Sequence, residues 1–377
     1  MPNNKLKILV INWQDIKNPN GGGAEVHFHE IFKRIAAKGH QVDLFCCGDS
    51  SLADLEVIDD INIIRRGSRN TFNFIVPKVY KDVFSKNKYD IIIDDINKIP
   101  FYTPLYVKEP LLALSHHFFG ASIFREASIP AGLYVNLAEF MMKFIYYNTK
   151  FAVVSQSTLD DFIKRGYDKS NFKIITNAIS HSEYPMKIGK KNDEFTITYF
   201  GRLKKYKSVD HLLRAFAIVK KLHDNCKLSI IGRGDYRGEL ERLAKELKID
   251  DKIIFHGFVD DVTKNELLCN SHIVVNTSLK EGWGITNIEA NACGTPVLSA
   301  NVPGLRDSVR NGVSGLLYEY GNIEEMASKL KFLIDNKSEL SKMENGAVEW
   351  AKQFSWDKSA EEMLNYIKEV VNLNIRK

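Results

Sequence analysis

Two glutamates, Glu281 and Glu289, enclose the stretch Gly282-Trp283-Gly284-Ile285-Thr286-Asn287-Ile288, which puts one carboxylate in a glycine-bearing loop and the other inside the helix that follows. A loop that ends in a helix N-terminus turns backbone amides, here those near Gly284, Ile285 and Thr286, toward a phosphate. One carboxylate can accept paired hydrogen bonds from the vicinal hydroxyls of a ribose while the other faces a sugar. Two unrelated surface glutamates are the plainer reading, disfavoured by the glycines and by the strand expected just before, over 272–276. Upstream, Gly201-Arg202-Leu203-Lys204-Lys205-Tyr206-Lys207-Ser208 follows an apolar strand directly. Arg202 and Lys207 thus stand at a strand's carboxyl end, where open α/β sheets hold their ligands, and a planar fork of donors beside a compact point charge suits a diphosphate. A solvated basic loop is the alternative. Gly21-Gly22-Gly23 lies between a first strand and a first helix. Bare backbone and the positive helix end there admit a phosphate at Gly22 and Gly23, or a tight turn simply needs positive φ. The spacing is not G-x-G-x-x-G, which disfavours a nicotinamide cofactor.

The elements needed to hold these loops are legible on both sides of them. A strand over 7–11, the glycine loop, a helix through Ala37 and a strand over 41–45 make a βαβ unit. Further buried-type strands are expected over 89–93, 111–115 and 151–155, a pattern that favours a parallel sheet covered by helices. From Asn177 to Glu194 the periodicity dissolves, and 187–194 reads as a linker. Alternation then resumes, with strands over 195–200, 227–231, 253–256, 272–276, 296–299 and 315–318 and helices over 209–222, 237–247, 286–293 and 323–336. A chain of 377 residues suits two such α/β domains, and two domains imply a cleft.

On these motifs the sequence resembles the family-4 group of retaining glycosyltransferases with the GT-B fold, from the first strand to Phe354-Ser355-Trp356. Lys38-Gly39-His40-Gln41-Val42 and Ala292-Cys293-Gly294-Thr295-Pro296-Val297 add to the likeness. The resemblance implies two Rossmann-like domains with parallel sheets facing across a cleft: an acceptor-side domain over 1–185, a nucleotide-sugar domain over 186–355, and a C-terminal helix over 356–377 packing back toward the first. It implies that Gly22-Gly23 and the Arg202/Lys207 pair meet the donor diphosphate, and that Glu281 and Glu289 contact sugar and ribose. A family histidine near the reacting sugar corresponds to one of the doublet in Ser115-His116-His117-Phe118, with His116 favoured and a strand-end histidine bonded to backbone as the alternative. Ser208 and Ala178 stand where the family often has glycine.

The implied reaction moves a hexose from a UDP- or GDP-sugar to a hydroxyl of a glycan or lipid-linked acceptor with retention. Its catalytic set would be His116, Glu281, Arg202 and Lys207. No D-x-D occurs, so leaving-group charge is expected to be met by cations without a metal or other cofactor. A phosphorylase, an epimerase and a non-catalytic sugar-nucleotide-binding subunit are the rivals. Lysine and arginine number 52 against 47 acidic residues, too slight an excess to indicate nucleic-acid binding. Cys46, Cys47, Cys226, Cys269 and Cys293 have no zinc-type spacing and read as reduced core thiols. With no signal-peptide pattern a cytoplasmic location is expected, peripheral at the inner face of the membrane if residues 129–147 lie on lipid. That segment is rich in Leu, Phe, Met and Tyr but broken by Asn136, Glu139 and Lys143, and a buried amphipathic helix is the favoured reading of it.

Overall fold

The computed structural model describes residues 5–97, 99–125, 128–189 and 191–375. Residues 1–4 of the N-terminus and Lys190 of the expected linker lie outside them. The chain divides into two units, Met1–Asn177 with Trp356–Lys377, and Ala178–Ser355.

The first unit contains β1 (Lys7–Ile11), α1 (Gly23–Ala37), β2 (Gln41–Cys46), β3 (Leu55–Ile58), β4 (Ile61–Arg65), α2 (Phe72–Asp82), β5 (Ile91–Ile96), β6 (Leu111–Ser115), α3 (Ile129–Ile145), β7 (Lys150–Val153), α4 (Gln156–Lys164) and β8 (Phe172–Ile174). Its strands form one sheet in the order β3-β4-β2-β1-β5-β6-β7-β8, parallel except for the β3–β4 hairpin. Runs such as Ile91-Ile92-Ile93 are buried on both faces, as parallel strands under helices must be. Leu9, Phe45, Phe72, Phe84 and Phe101 fill one side of the sheet. Each such side chain contributes about 1.5–3 kcal/mol of burial.

The second unit contains β9 (Phe195–Phe200), α5 (Val209–Lys220), β10 (Cys226–Ile231), α6 (Arg237–Glu246), β11 (Ile253–Gly257), α7 (Asp261–Asn270), β12 (Ile273–Asn276), α8 (Ile285–Ala292), β13 (Val297–Ala300), β14 (Gly315–Tyr318), α9 (Ile323–Asp335) and α10 (Lys337–Ala351). Its sheet is parallel, in the order β11-β10-β9-β12-β13-β14. Ile197, Leu212, Phe216, Leu228, Leu298 and Leu330 form its core.

The chain's last helix, α11 (Trp356–Ile375), belongs to the first unit. Arg34 on α1 donates from Nε to Asp357 at 2.6 Å, Ser359 donates to the carbonyl of Thr176 at 2.8 Å, and Trp356 meets the His27 ring edge-on at 6.0 Å.

The stretch read as a linker is built into the second unit. Lys191, its side chain fully buried, donates from Nζ to Thr295 Oγ1 at 2.9 Å and to the Gly294 carbonyl at 3.1 Å, and burial lowers its pKa to about 8. Asn265 donates to the carbonyl of Glu183, Cys269 to that of Pro185, and the Lys187 amide to that of Cys293. The boundary therefore falls at Asn177 rather than at 185. Polar, lysine-bearing sequence concealed it, because Lys187 and Lys191 donate to oxygens at the ends of α7 and α8.

Candidate active site

Each sheet reverses its strand order at one place, between β1 and β5 in the first unit and between β9 and β12 in the second. Ligands of open α/β sheets bind beyond the carboxyl ends of strands at such a point. In the second unit the chain leaves β9 through Gly201 and Arg202 and leaves β12 through Thr277 and Ser278. Two backbone segments touch beside the first exit: a Cβ built on Gly232, at φ +137°, would lie 1.9 Å from the Gly201 carbonyl oxygen. Gly232→Ala is therefore expected to cost about 2–4 kcal/mol of stability, from backbone strain and overpacking together, measured as a fall in denaturant midpoint. Gly234 is confined in the same way, a Cβ on it lying 2.0 Å from the Leu203 carbonyl oxygen.

Lys207 and Glu281 come together at this end of the sheet. Lys207 Nζ and Glu281 Oε1 form an ion pair, with side-chain exposures of 14% and 22%. Burial works against the ammonium, but Glu281 prevails and holds the Lys207 pKa above its ordinary value. The loop carrying Lys207 is tied down when Thr277 donates to the Lys207 carbonyl at 2.6 Å and the Leu279 amide donates to the Tyr206 carbonyl at 3.1 Å. Ser208 then starts α5 at φ +51°, ψ +39°, the left-handed region that explains why a glycine suits this position. Its hydroxyl lies 2.8 Å from that of Tyr320. Arg202 is exposed, its Nη2 reaching the Tyr206 hydroxyl at 3.5 Å.

Gly284 precedes the first turn of α8, where no side chain caps the helix, and Ile285 and Thr286 are its first residues. A network absent from the sequence reading fixes that turn. Asn276, at the end of β12, donates from Nδ2 to Thr286 Oγ1 at 3.0 Å and to Asn287 Oδ1 at 3.3 Å. Asn287 in turn donates to Ser308 at 2.9 Å and Ser299 at 3.2 Å. Asn276, Asn287, Ser299 and Ser308 are buried, so their polar groups must be satisfied mutually, and that fixes the helix against the strand ends.

Glu289 sits differently from Glu281. It is buried in α8, where Oε1 accepts from the Tyr184 hydroxyl at 2.6 Å and from Lys264 Nζ at 3.2 Å. In the ribose-binding role that the resemblance implies for it, Glu289→Ala is expected to raise the KM for donor with little change in kcat, because such a contact is alike in ground and transition states. It should also lower Tm, since among the described residues Lys264 keeps only the exposed Asp261, at 3.0 Å, as an ion-pair partner. An unchanged KM with a collapsed kcat would remove Glu289 from donor binding.

The first unit places His116 just past β6, nearly buried, with Nε2 3.1 Å from Asp95 Oδ1. Asp95, fully buried in β5, also accepts from Asn12 Nδ2 at 3.1 Å. Burial raises the Asp95 pKa and His116 opposes the rise. His27 meets the His116 ring edge-on at 5.3 Å, and burial with that neighbour holds the His27 pKa well below its ordinary value. His117 instead packs its ring on Phe119 at 4.5 Å. Asp95 and Asn12 were missed because a polar side chain at a strand's carboxyl end reads as its terminus.

Gly22 and Gly23 do not fit the tight-turn reading. Positive φ is absent from both, so a left-handed turn is not their reason. The Gly22 amide donates to Glu25 Oε2 at 2.7 Å, so the carboxylate caps one amide at the start of α1, and a Cβ on Gly23 would meet no atom within 4 Å. A cavity of about 260 Å³ does lie at the β1–β5 end of this sheet, lined by Trp13, Arg69, Asn73, Phe74, Asn97 and Tyr134 among others.

All five cysteines are free and buried. Among the described residues no three His, Cys, Asp or Glu side chains are grouped to hold a metal ion, and no helix is long and apolar enough to cross a membrane.

Comparison with known proteins places this geometry. Residues 180–350 match the model for glycosyl transferases group 1, and residues 21–183 match that for glycosyltransferase family 4. An uncharacterized glycosyltransferase of Methanocaldococcus jannaschii is 26% identical over 96% of this chain and 98% of its own. Sucrose-phosphate synthase from Thermosynechococcus elongatus superposes with a TM-score of 0.81 at 20% identity, covering 98% of this chain and 100% of that one. The Anabaena protein HepE, in a complex with UDP-glucose, does so with a TM-score of 0.75 at 19% identity, covering 97% and 100%. Both structures share the GT-B fold of two Rossmann-like domains. The two family matches run end to end over most of the sequence, and the chain belongs to the family-4 glycosyltransferases.

Proposed function

We propose that this glycosyltransferase moves a hexose from a nucleoside diphosphate sugar to an acceptor hydroxyl with retention at the anomeric carbon. The observation that carries the reading is the joining of Lys207 to Glu281 at the reversal point of the second sheet, on a loop that also bears the exposed Arg202. HepE, of the same fold, is known in a complex with UDP-glucose, which supports a donor of that class.

In this reaction the bond from the anomeric carbon to the diphosphate oxygen breaks, and the acceptor oxygen bonds to the same face of that carbon. The acceptor's proton passes to the departing phosphate. Negative charge grows on the diphosphate as the bond opens, and Arg202, Lys207 and the uncapped amides of α8 are the groups assigned to it. Glu281 orients the Lys207 ammonium before the donor arrives and turns to the sugar hydroxyls when the diphosphate takes that cation. The same reading gives His116 a contact with the sugar and makes Asp95 the residue that holds its ring. In the first unit, the amides and aromatic faces of the 260 Å³ cavity suit a carbohydrate acceptor.

Thermal shift against a panel of UDP- and GDP-sugars identifies the donor, and hydrolysis of that donor without acceptor then reports turnover. Stabilisation by a UDP- or GDP-sugar together with slow release of free sugar is the expected result. Binding without any turnover would favour a non-catalytic sugar-nucleotide subunit, and phosphorolysis without nucleotide would make the chain a phosphorylase.

A further inference from the structure

Helix α3 is apolar on the side it turns to water. Ile129, Leu133, Leu137, Phe140 and Phe144 recur at spacings of three and four, so they share one side of the helix, and each is 58–70% exposed. The opposite side, with Val135, Ala138 and Met142, is already buried in the unit's own packing. A surface helix ordinarily shows charge to solvent, yet the only charged residue among the exposed positions of α3 is Lys143.

We propose that this face docks α3 flat on the surface of an anionic membrane. Seventeen residues make a helix of about 25 Å, too short and too interrupted to cross a bilayer but sufficient to lie in its interfacial layer. The charges around the stripe are complementary to anionic headgroups. Lys143 stands at its edge, and α2 adds Phe74, 68% exposed, with Lys78 one turn further on. The two helices are joined where Asn73 Nδ2 donates to the Tyr134 hydroxyl at 3.0 Å. Tyr134 and Tyr147, both exposed, carry the phenol groups that favour the level of the headgroups. A second copy of the chain is the weaker occupant: the exposed positions of α3 carry a cation, Lys143, and no carboxylate to answer it across a two-fold contact.

Docking would also place an opening at the lipid surface. Phe74, Tyr134 and the cation Arg69 line the 260 Å³ cavity at the β1–β5 strand ends. Lipid binding itself is read without donor or acceptor, so it stands or falls separately from glycosyl transfer.

The test is flotation of the full-length protein with vesicles of phosphatidylglycerol and phosphatidylcholine at low and high salt, beside vesicles of phosphatidylcholine alone. The wild type should float with the anionic vesicles and lose most of that binding in high salt. Leu137→Ser with Phe144→Ser, both at exposed positions and so neutral to folding, should cut partitioning by about tenfold or more at unchanged Tm. Lys143→Gln should cut it by about fivefold. Absence of flotation at low salt, or a double variant that floats like the wild type, overturns the proposal. So does a wild type that sediments as a dimer while the double variant is monomeric, since a second copy would then own the face.

Discussion

Arg202→Ala is expected to lower kcat by about 10²–10³, roughly 3–4 kcal/mol of transition-state stabilisation, while donor affinity changes far less. A cation aimed at the leaving diphosphate binds the transition state more strongly than the ground state, because the oxygens it faces gain charge only as the glycosidic bond opens. Arg202 is exposed and its guanidinium reaches, among the described residues, only the Tyr206 hydroxyl, at 3.5 Å, within its own loop, so its removal should leave Tm unchanged. Lys207→Ala should show the same kinetic loss with a second effect. Its partner Glu281 is 22% exposed, and a carboxylate so placed is left without its counter-charge. A fall in Tm is therefore expected for Lys207→Ala and not for Arg202→Ala. Arg202→Lys should recover part of the rate, since the charge returns without the planar fork. On the proposed mechanism these side chains meet the charge that a metal would otherwise carry, so exhaustive chelation should leave the wild type active. Turnover abolished by EDTA and restored by Mg²⁺, with both alanine variants near wild type, would require a mechanism built around the metal.

The elements that place this pair were legible because their periodicities are strong. β1, β6 and β9 stand where the apolar runs put them, and α8 begins at Ile285, at the glycine that precedes it. The β3–β4 hairpin was not legible. Its two-residue loop is Asp59-Asp60, at φ +49° and +63°, a turn usually announced by asparagine or glycine, and the alternation of Leu55 to Ile58 is half-exposed. Partners across the sheet escaped for a different reason. Asp95 with His116, Asn287 with Ser308, and Lys264 with Glu289 are each 21 or more residues apart, and only the crossing of the chain brings them into contact. Spacing identifies residues that act along one loop or helix, as with Glu281 and Glu289. It is silent on whether they act together, and here they do not share partners: Glu281 meets Lys207, Glu289 meets Tyr184 and Lys264.

The largest stability effect is expected at a buried pair that the sequence did not mark. Arg65, at the end of β4, is fully buried and donates from Nε to Asp15 Oδ2 at 2.7 Å and from Nη2 to Asp15 Oδ1 at 2.9 Å. Its Nη1 donates to the Ala53 carbonyl at 2.7 Å and to Glu56 at 3.0 Å. Asp15 lies in the segment between β1 and α1 that also carries Trp13 to the cavity. Two charges so deeply placed repay their desolvation only while both are present, so Asp15→Ala should destabilise by about 3–5 kcal/mol. Asp15→Leu combined with Arg65→Met should cost less than either change alone, since the double variant leaves no charge stranded. The same pair gives a pH signature. Burial works to raise the Asp15 pKa, but the Arg65 hydrogen bonds prevail and hold it below the ordinary carboxylate value. A group depressed in the folded state binds more protons when unfolded, so its contribution is present above the unfolded pKa and is lost as pH falls through the folded one. Denaturant midpoints of wild type and Asp15→Ala should therefore converge as pH is lowered from neutrality toward about 3. Parallel midpoints across that range, or a double variant as unstable as the sum of the single ones, would mean that the pair is not what fixes the β1–α1 segment to the sheet.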